Sequence, residues 1–259
     1  MSSYNTIGVI APTVSQSGNV FLGNLIKVLA EIHRDVYLIT GSDVLIDIPN
    51  LRCFLLEHQG KCGILARILG YVLFELEITK TIISLSRNVD VWIFFMGGES
   101  MLIPMLVARL LRKRTIVYLA GSVEQSFNVN HDYSLLPLIL VKRLNLHLSH
   151  RIIIYSRGLI DEWGLKKHIK KISLAHEHYI DFKKFSMLTP VDSRDNIVGY
   201  VGRFSEEKGI LNFIYAIDKI LAKNMDITFY LIGDGHLKDQ VQMLIDTKGI
   251  NNNIIMSGW

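Results

Sequence analysis

Short runs of β-branched and aromatic residues alternate along this chain with segments long enough to form helices. These runs are almost wholly apolar, as strands are when helices cover both faces of a parallel sheet. They occupy residues 7–10, 36–39, 53–56, 91–95, 115–119, 151–155 and 171–174. The alternation therefore predicts an α/β fold built on a doubly wound parallel sheet.

The same pattern starts again near the end of the chain. Residues 183–195 are polar, contain Pro190 and show no periodicity, which is typical of a linker. After them, strand-like and helix-like segments alternate at residues 197–201, 210–223, 227–232, 237–247 and 253–257. We predict two Rossmann-like domains, over residues 1–185 and 196–259, joined by a linker at residues 186–195. Because the second would hold only three strands and two helices, we expect it to be incomplete.

Composition limits the class of protein and its compartment. With 259 residues and 49% hydrophobic side chains, the chain is globular and can bury a sizeable core. The net charge of +4 suits an anionic ligand or an anionic membrane surface without choosing between them. Cys53 and Cys62 are not in C-x-x-C spacing, which favours buried thiols in a reducing compartment. No signal peptide precedes the first strand, so we expect a cytoplasmic protein.

The segment "VGRFSEEKG", residues 201–209, carries two cations and two glycines at a predicted turn from strand to helix. Helix N-termini at the carboxyl ends of parallel strands offer free N–H groups to anions. Arg203 provides a fork that fits phosphate oxygens, and Lys208 provides a mobile charge. Gly202 would let the backbone approach a ligand, and Gly209 would serve helix packing. A phosphate site and an ordinary turn with a solvated charged rim both fit this segment.

A second motif follows in "FYLIGDGHLKDQVQMLI", residues 229–245, where a strand leads into Gly-Asp-Gly and a helix. Together the two motifs resemble the carboxyl-terminal half of the family 4 glycosyltransferases of the GT-B fold. The resemblance extends to "VIAPTVSQSGNVFLGNLIKVLAEI" at residues 9–32 and to "RIIIYSRGLIDEW" at residues 151–163. "ISLAHEHYIDFKKF", residues 172–185, stands where the family has I-P-N-G-V-D-x-x-x-F. The similarity covers almost the entire chain.

This resemblance implies retaining transfer of a sugar from a nucleotide-diphosphate-sugar donor. Arg203 and Lys208 would then be catalytic, because they would stabilise the charge that develops on the leaving diphosphate. Gly18, Gly202 and Gly235 would let the backbone approach the same donor. The family commonly needs no metal, and the sequence contains no D-x-D pair, so we expect no cofactor besides the donor.

The chain departs from the family pattern at its end. The E-x7-E element, which contacts the donor sugar in the family, would begin after Trp259. We therefore expect a truncated chain that is inactive on its own. The alternative function is a non-catalytic GT-B remnant that binds a nucleotide or a partner without turnover. A nicotinamide oxidoreductase is disfavoured, because the loop at residues 11–19 lacks G-x-G-x-x-G.

Several polar loop residues are candidates for the acceptor side, and the acceptor itself, a glycan, a lipid-linked sugar or a small molecule, stays open. They are Ser122, Glu124 and Gln125 after the fifth apolar run, and Glu99 in the turn "MGGES"; ordinary loop or packing roles are the favoured alternative for all four. The "HEH" segment at residues 176–178 lacks the spacing that places two metal ligands on one helix face, so we expect no metal there.

The segment "LLPLILVKRLNLHLSHR", residues 135–151, combines leucines with Lys142, Arg143 and Arg151. A basic amphipathic helix of this kind can lie on an anionic membrane, whereas packing in the core is the alternative. We expect at most a peripheral association, since the most hydrophobic window, residues 63–78, is shorter than the roughly 20 apolar residues of a spanning helix. No feature indicates a nucleic-acid partner.

Overall fold

The described strands form two separate parallel sheets, one in each of two compact units, Met1–Ile180 and Asp181–Trp259. The computed structural model describes residues 5–12, 14, 18–44, 46–56, 64–121, 136–176, 182, 185–186, 188–223 and 226–259. The domain boundaries that the sequence predicts, 1–185, 186–195 and 196–259, remain predictions.

The first unit is built on a seven-stranded sheet in the order β3-β2-β1-β4-β5-β6-β7, with every neighbouring pair parallel. Its strands are β1 (Thr6–Ala11), β2 (Asp35–Thr40), β3 (Leu51–Leu55), β4 (Val91–Phe95), β5 (Arg114–Tyr118), β6 (Arg151–Ile154) and β7 (Ile172–Leu174). The order reverses between β1 and β4, so the loops after these two strands diverge and leave a crevice at the carboxyl edge.

Helices cover both faces of this sheet. They are α1 (Gly18–Ile32), α2 (Ile64–Ser84), α3 (Leu102–Leu110), α4 (Leu136–Leu148) and the short α5 (Leu159–Glu162). Alternate residues of β4 point to opposite faces, as a strand requires. Trp92 and Phe94 share a core with α2, α3 and α4, whereas Val91, Ile93 and Phe95 share the other core with α1. The two cores explain why the strand runs contain almost no polar residue.

The second unit has the order β10-β9-β8, again parallel throughout. Its elements are β8 (Ile197–Val201), α6 (Ile210–Leu221), β9 (Thr228–Ile232), α7 (Lys238–Lys248) and β10 (Ile254–Gly258). Phe229 and Leu231 of β9 are buried against apolar residues of both helices. The predicted alternation of strand and helix is confirmed here as in the first unit.

Edge strands expose residues that the apolar pattern alone does not mark as exposed. β8 lies at a sheet edge, and Ile197 and Val201 are exposed, because an edge strand has a neighbour on one side only. Cys53, expected to be a buried thiol, is exposed on β3, which is also an edge strand. Lys142 of α4 is buried, as the core-packing alternative for residues 135–151 expects, whereas Arg143 and Arg151 are exposed. Cys62 lies outside the described residues.

The start of α3 is held by a carboxylate from another helix. Glu75 of α2 is buried, and its two oxygens accept hydrogen bonds from the backbone N–H groups of Leu102 at 3.3 Å and Ile103 at 2.7 Å. Such groups have no partner within their own helix, so the carboxylate caps α3 from outside it. Burial raises the pKa of Glu75, and the two N–H donors oppose that shift.

We expect Glu75→Gln to remove part of the pH dependence of stability. Because the folded-state pKa of Glu75 is raised, the folded chain binds this proton more tightly than the unfolded chain does. Stability should therefore fall as pH rises from the unfolded to the folded pKa, and the glutamine variant should lack this fall. Urea midpoints between about pH 4 and pH 8, read from the fluorescence of buried Trp92, measure the effect.

The matched control is Glu77→Gln on the same helix. Glu77 is exposed and pairs with Lys80 at 2.6 Å, so its neutralisation should change the midpoints little. Equal pH slopes in the wild-type protein and the Glu75→Gln variant would contradict the assignment.

Candidate functional site

Two loops of the second unit lie side by side at the carboxyl edge of its sheet. Residues 202–209 follow β8, and residues 233–237 follow the adjacent strand β9. The backbone N–H of Phe204 donates to the carbonyl of Asp234 at 2.9 Å, and that of Leu237 donates to the carbonyl of Phe204 at 3.2 Å. The two sequence motifs therefore form one structural unit, as parallel strands in register require.

Glycines allow this close approach. A Cβ added at Gly233 would lie 2.0 Å from the carbonyl oxygen of Gly202, and one added at Gly235 would lie 2.4 Å from that of Phe204. Both distances are shorter than any real contact, so only glycine fits. An added Cβ at Gly202 meets nothing closer than the Tyr200 hydroxyl at 3.4 Å, so the tight contact belongs to Gly-Asp-Gly.

Arg203 and Lys208 present two cations at the entrance to α6. Both are exposed, and among the described residues the Arg203 guanidinium has a single, long ion-pair contact, of 3.8 Å with Glu207. Gly209, expected to serve helix packing, instead has a left-handed φ of 67° and no atom within 4 Å of an added Cβ. Glu206–Lys208 form one 3-10 turn that ends at Gly209. α6 therefore begins directly after the two cations.

Tyr200, which has no predicted role, holds the two ends of the Arg203–Lys208 loop together. The Tyr200 hydroxyl donates to the carbonyl of Arg203 at 2.9 Å and lies 3.4 Å from the carbonyl of Lys208. Its ring packs at a tilt against the rings of Phe204 and Phe213. Burial, followed by the nearby Glu207 charge, raises the pKa of Tyr200, so the hydroxyl stays a donor at neutral pH.

We expect Tyr200→Phe to loosen this loop without unfolding the unit. The change removes hydrogen bonds worth about 1 kcal/mol, so the amides of residues 204–209 should exchange about fivefold faster. Hydrogen exchange followed by mass spectrometry measures this. Tyr215→Phe is the matched control, because Tyr215 is an exposed tyrosine on α6 whose ring lies near Lys248 and is kept by the change. Unchanged loop exchange in Tyr200→Phe would contradict the bracing role.

The carboxylates of the two loops are engaged in holding them. The Asp234 side chain accepts from its neighbour Gly235 N–H at 2.8 Å and from Lys238 at 3.2 Å, which lowers its pKa. Glu206 lies 2.7 Å from the ring of His236, and the pKa of Glu206 is lowered first by its own backbone N–H and then by this contact. Both groups are therefore ionised at neutral pH, and their contacts hold the two loops.

The first unit has its own cavity at the carboxyl edge of its sheet, with a volume of about 620 Å³. Its wall comes from residues that follow β1, β2, β4 and β5, the strands around the reversal of strand order. The lining residues are Val14, Ser42, Met96, Gly97, Glu99, Ala120 and Gly121. The cavity lies where a doubly wound sheet binds ligands.

Glu99 is the charged residue of this wall, and its loop is braced from behind. The carboxylate accepts from the backbone N–H of Gly97 at 2.8 Å. The Asn145 amide of α4 donates to the carbonyls of Glu99 and Met101, and the Tyr71 hydroxyl of α2 donates to that of Ser100 at 2.7 Å. Burial and the charges of Glu75 and Glu99 raise the pKa of Tyr71. The turn "MGGES" is thus a rigid element of the cavity.

The remaining candidates are placed as follows. Gly18 is the first, buried residue of α1. Ser122, Glu124 and Gln125 lie outside the described residues, as do Glu177 and His178, whereas His176 is exposed. Within the described part of the chain, no group of three His, Cys, Asp or Glu residues is arranged to hold a metal ion. In the same part, no helix is long and apolar enough to cross a membrane.

Comparison with known proteins finds a family match for part of the chain. Residues 181–259 match the family described as glycosyl transferases group 1. The match spans the whole second unit, which carries both motif loops. The first unit is not part of this match.

One curated relative is the alpha-D-kanosaminyltransferase of Streptomyces kanamyceticus, 32% identical over 63 residues. That similarity covers 24% of this chain and 16% of the relative, so the matched part spans about a sixth of that protein. The structural match to the lipopolysaccharide outer core galactosyltransferase WaaB covers 98% of this chain and 68% of WaaB, at 15% identity and a TM-score of 0.60. The match to the glycosyltransferase WaaG covers 98% of this chain and 70% of WaaG, at 10% identity and a TM-score of 0.63. These likenesses confirm the predicted fold class, Rossmann-like α/β units of the GT-B type.

Proposed function

We propose that the protein is a glycosyltransferase that takes a sugar from a nucleotide-diphosphate-sugar donor. One observation carries the proposal: Arg203 and Lys208 stand exposed at the N-terminus of α6, within the unit that matches the group 1 glycosyl transferases. The kanosaminyl- and galactosyltransferase names of the relatives support transfer of a hexose-type sugar.

In this proposal the two cations receive the diphosphate of the donor. Negative charge grows on the leaving diphosphate as the bond to the sugar breaks. The Arg203 fork can bind two of its oxygens, the Lys208 ammonium can follow the moving charge, and free N–H groups at the start of α6 add to both. Gly202 and Gly235 supply backbone close to the donor, and Gly18 stays a candidate donor-binding residue of the first unit. No metal or cofactor besides the donor is assigned, and the anomeric configuration is retained.

The acceptor side is assigned to the cavity of the first unit. Glu99 presents a carboxylate there on a braced turn, and a carboxylate can accept a hydrogen bond from a sugar or alcohol hydroxyl. A glycan, a lipid-linked sugar and a small molecule all carry such hydroxyls. We place the protein in the cytoplasm, with peripheral attachment to a membrane.

The proposal is tested by binding first and by turnover second. Titration calorimetry with UDP, GDP and ADP should show binding of at least one diphosphate, which the corresponding nucleoside should not reproduce. Transfer is then followed with the matching nucleotide-sugars and mixed acceptors, and proton NMR of the product gives its anomeric configuration. Absence of diphosphate binding would refute the proposal. Binding without transfer would favour the non-catalytic alternative.

A further inference from the structure

Positive charge is distributed very unevenly over the first unit. Three segments, residues 102–114, 136–151 and 166–171, contain four, three and four lysine or arginine residues, and none contains an aspartate or glutamate. They thus hold eleven of the 28 cations of the chain and none of its 24 acidic residues. Such an imbalance within 35 residues creates a local field of one sign.

The three segments meet in the folded unit. The Arg109 guanidinium at the end of α3 contacts the ring of His150, which follows α4. The Lys171 ammonium donates to the carbonyls of Leu146 and Ser149 at the end of α4, at 3.2 and 3.0 Å. Arg151 in turn donates to the carbonyl of Lys170 at 3.1 Å. The cations are therefore gathered at one end of the helix layer, where β5 and β6 begin.

Most of these cations have no carboxylate partner among the described residues of the unit. Lys166 pairs with Asp161 at 3.0 Å, and Lys142 is buried. For the other nine, the described part of the chain offers no carboxylate within ion-pair distance. Burial and the neighbouring charges of Arg109, Arg114 and Lys171 lower the pKa of His150, as a locally positive field requires. The charge is available to an external anionic partner.

Leucines share the same exposed faces. On α3 the exposed positions 106, 109 and 110 are Leu, Arg and Leu, and on α4 the exposed positions from residue 140 onward, 140, 143, 144 and 147, are Leu, Arg, Leu and His. Spacings of three and four residues place each set on one side of its helix. Leu110 is 81% exposed, Leu140 61% and Ile169, between the lysines of the third segment, 60%. Apolar and cationic side chains therefore alternate over one surface.

We infer that this surface, formed by α3, α4 and residues 166–171, docks on a bilayer of anionic lipids. Cations attract the headgroups, and exposed leucines gain free energy by entering the acyl boundary, so the mixture suits a lipid interface. A nucleic acid or an acidic protein would satisfy the cations and leave the leucines in water. This surface would carry the membrane attachment proposed above, and its binding to lipid does not depend on transferase activity.

Vesicle sedimentation tests the inference with no sugar substrate present. Vesicles of phosphatidylcholine containing about 30% phosphatidylglycerol should carry the chain down at low salt, and pure phosphatidylcholine should not. Lys167→Gln with Lys170→Gln should weaken binding about fivefold for each charge removed. Leu110→Ser with Leu140→Ser should weaken it at least tenfold, because two apolar insertions are lost.

Matched controls lie elsewhere on the chain. Lys219→Gln with Lys223→Gln removes two exposed charges from the second unit, and Ile32→Ser removes an exposed aliphatic side chain at the end of α1. Both should bind like the wild-type protein. No binding to anionic vesicles would overturn the inference, as would binding that survives both surface variants. Loss with the lysine variant alone, together with equal binding to RNA or heparin, would also overturn it in favour of a general polyanion surface.

Discussion

Gly233→Ala should destabilise the second unit by at least about 3 kcal/mol, because the change combines backbone strain with an overlap that cannot relax locally. Gly233 has a φ of 151°, which L side chains rarely adopt. Its added Cβ would lie 2.0 Å from the Gly202 carbonyl oxygen. The Gly202 N–H is bonded to Ile232 and the Gly233 N–H to Gly258, both at 3.0 Å, so neither strand end can move without losing a hydrogen bond.

Gly199→Ala is the matched control in the same sheet. An added Cβ there has no atom within 4 Å, and its φ is not positive, so this variant should be neutral or slightly more stable. Hydrogen exchange of peptides from β8 and β9 measures both variants. Protection in Gly233→Ala equal to that in Gly199→Ala would show that the two loops do not need their backbone contact.

The strands and the order of elements could be predicted because burial on both faces demands apolar residues at every position. Val91–Phe95 is such a strand, and each of its residues is buried. An edge position leaves no such signature: Ile197–Val201 is as apolar as an inner strand, yet its place depends on which strands lie beside it. Sequence patterns describe each segment, whereas edges are a property of the assembled sheet.

The candidate site likewise contains residues that a local sequence pattern predicts and residues that only the fold reveals. Arg203 and Lys208 could be predicted because cations and glycines in a strand-to-helix turn form a local pattern. Tyr200 and Glu75 were missed because their roles depend on contacts across the fold. Tyr200 reads as a strand residue, and only the folded loop brings the Arg203 carbonyl to its hydroxyl. Glu75 reads as an exposed helix position, although its neighbours Phe74 and Ile78 belong to the buried stripe of α2.

Replacing Arg203 or Lys208 by alanine should cost about 2 to 4 kcal/mol of transition-state stabilisation, a rate loss of about 30- to 1000-fold. Each cation would stabilise charge that appears only as the diphosphate leaves, so the loss should exceed the loss in ground-state binding. The double variant should lose less than the sum of the single changes, because both residues act on one group. Arg203→Lys should be intermediate, since lysine keeps the charge and lacks the fork.

Stability separates this role from a structural one. Both side chains are exposed, and the described part of the chain offers Arg203 no ion pair besides its long contact with Glu207, so the alanine variants should unfold within about 0.5 kcal/mol of the wild-type protein. Lys219→Ala, an exposed cation on the far part of α6, should change neither stability nor diphosphate affinity. Calorimetric titration with the bound nucleoside diphosphate gives the affinity, and the transfer assay gives the rate wherever turnover is measurable. If Arg203→Ala and Lys208→Ala bind the diphosphate as tightly as Lys219→Ala does, the two cations are a solvated rim and the donor must be held elsewhere.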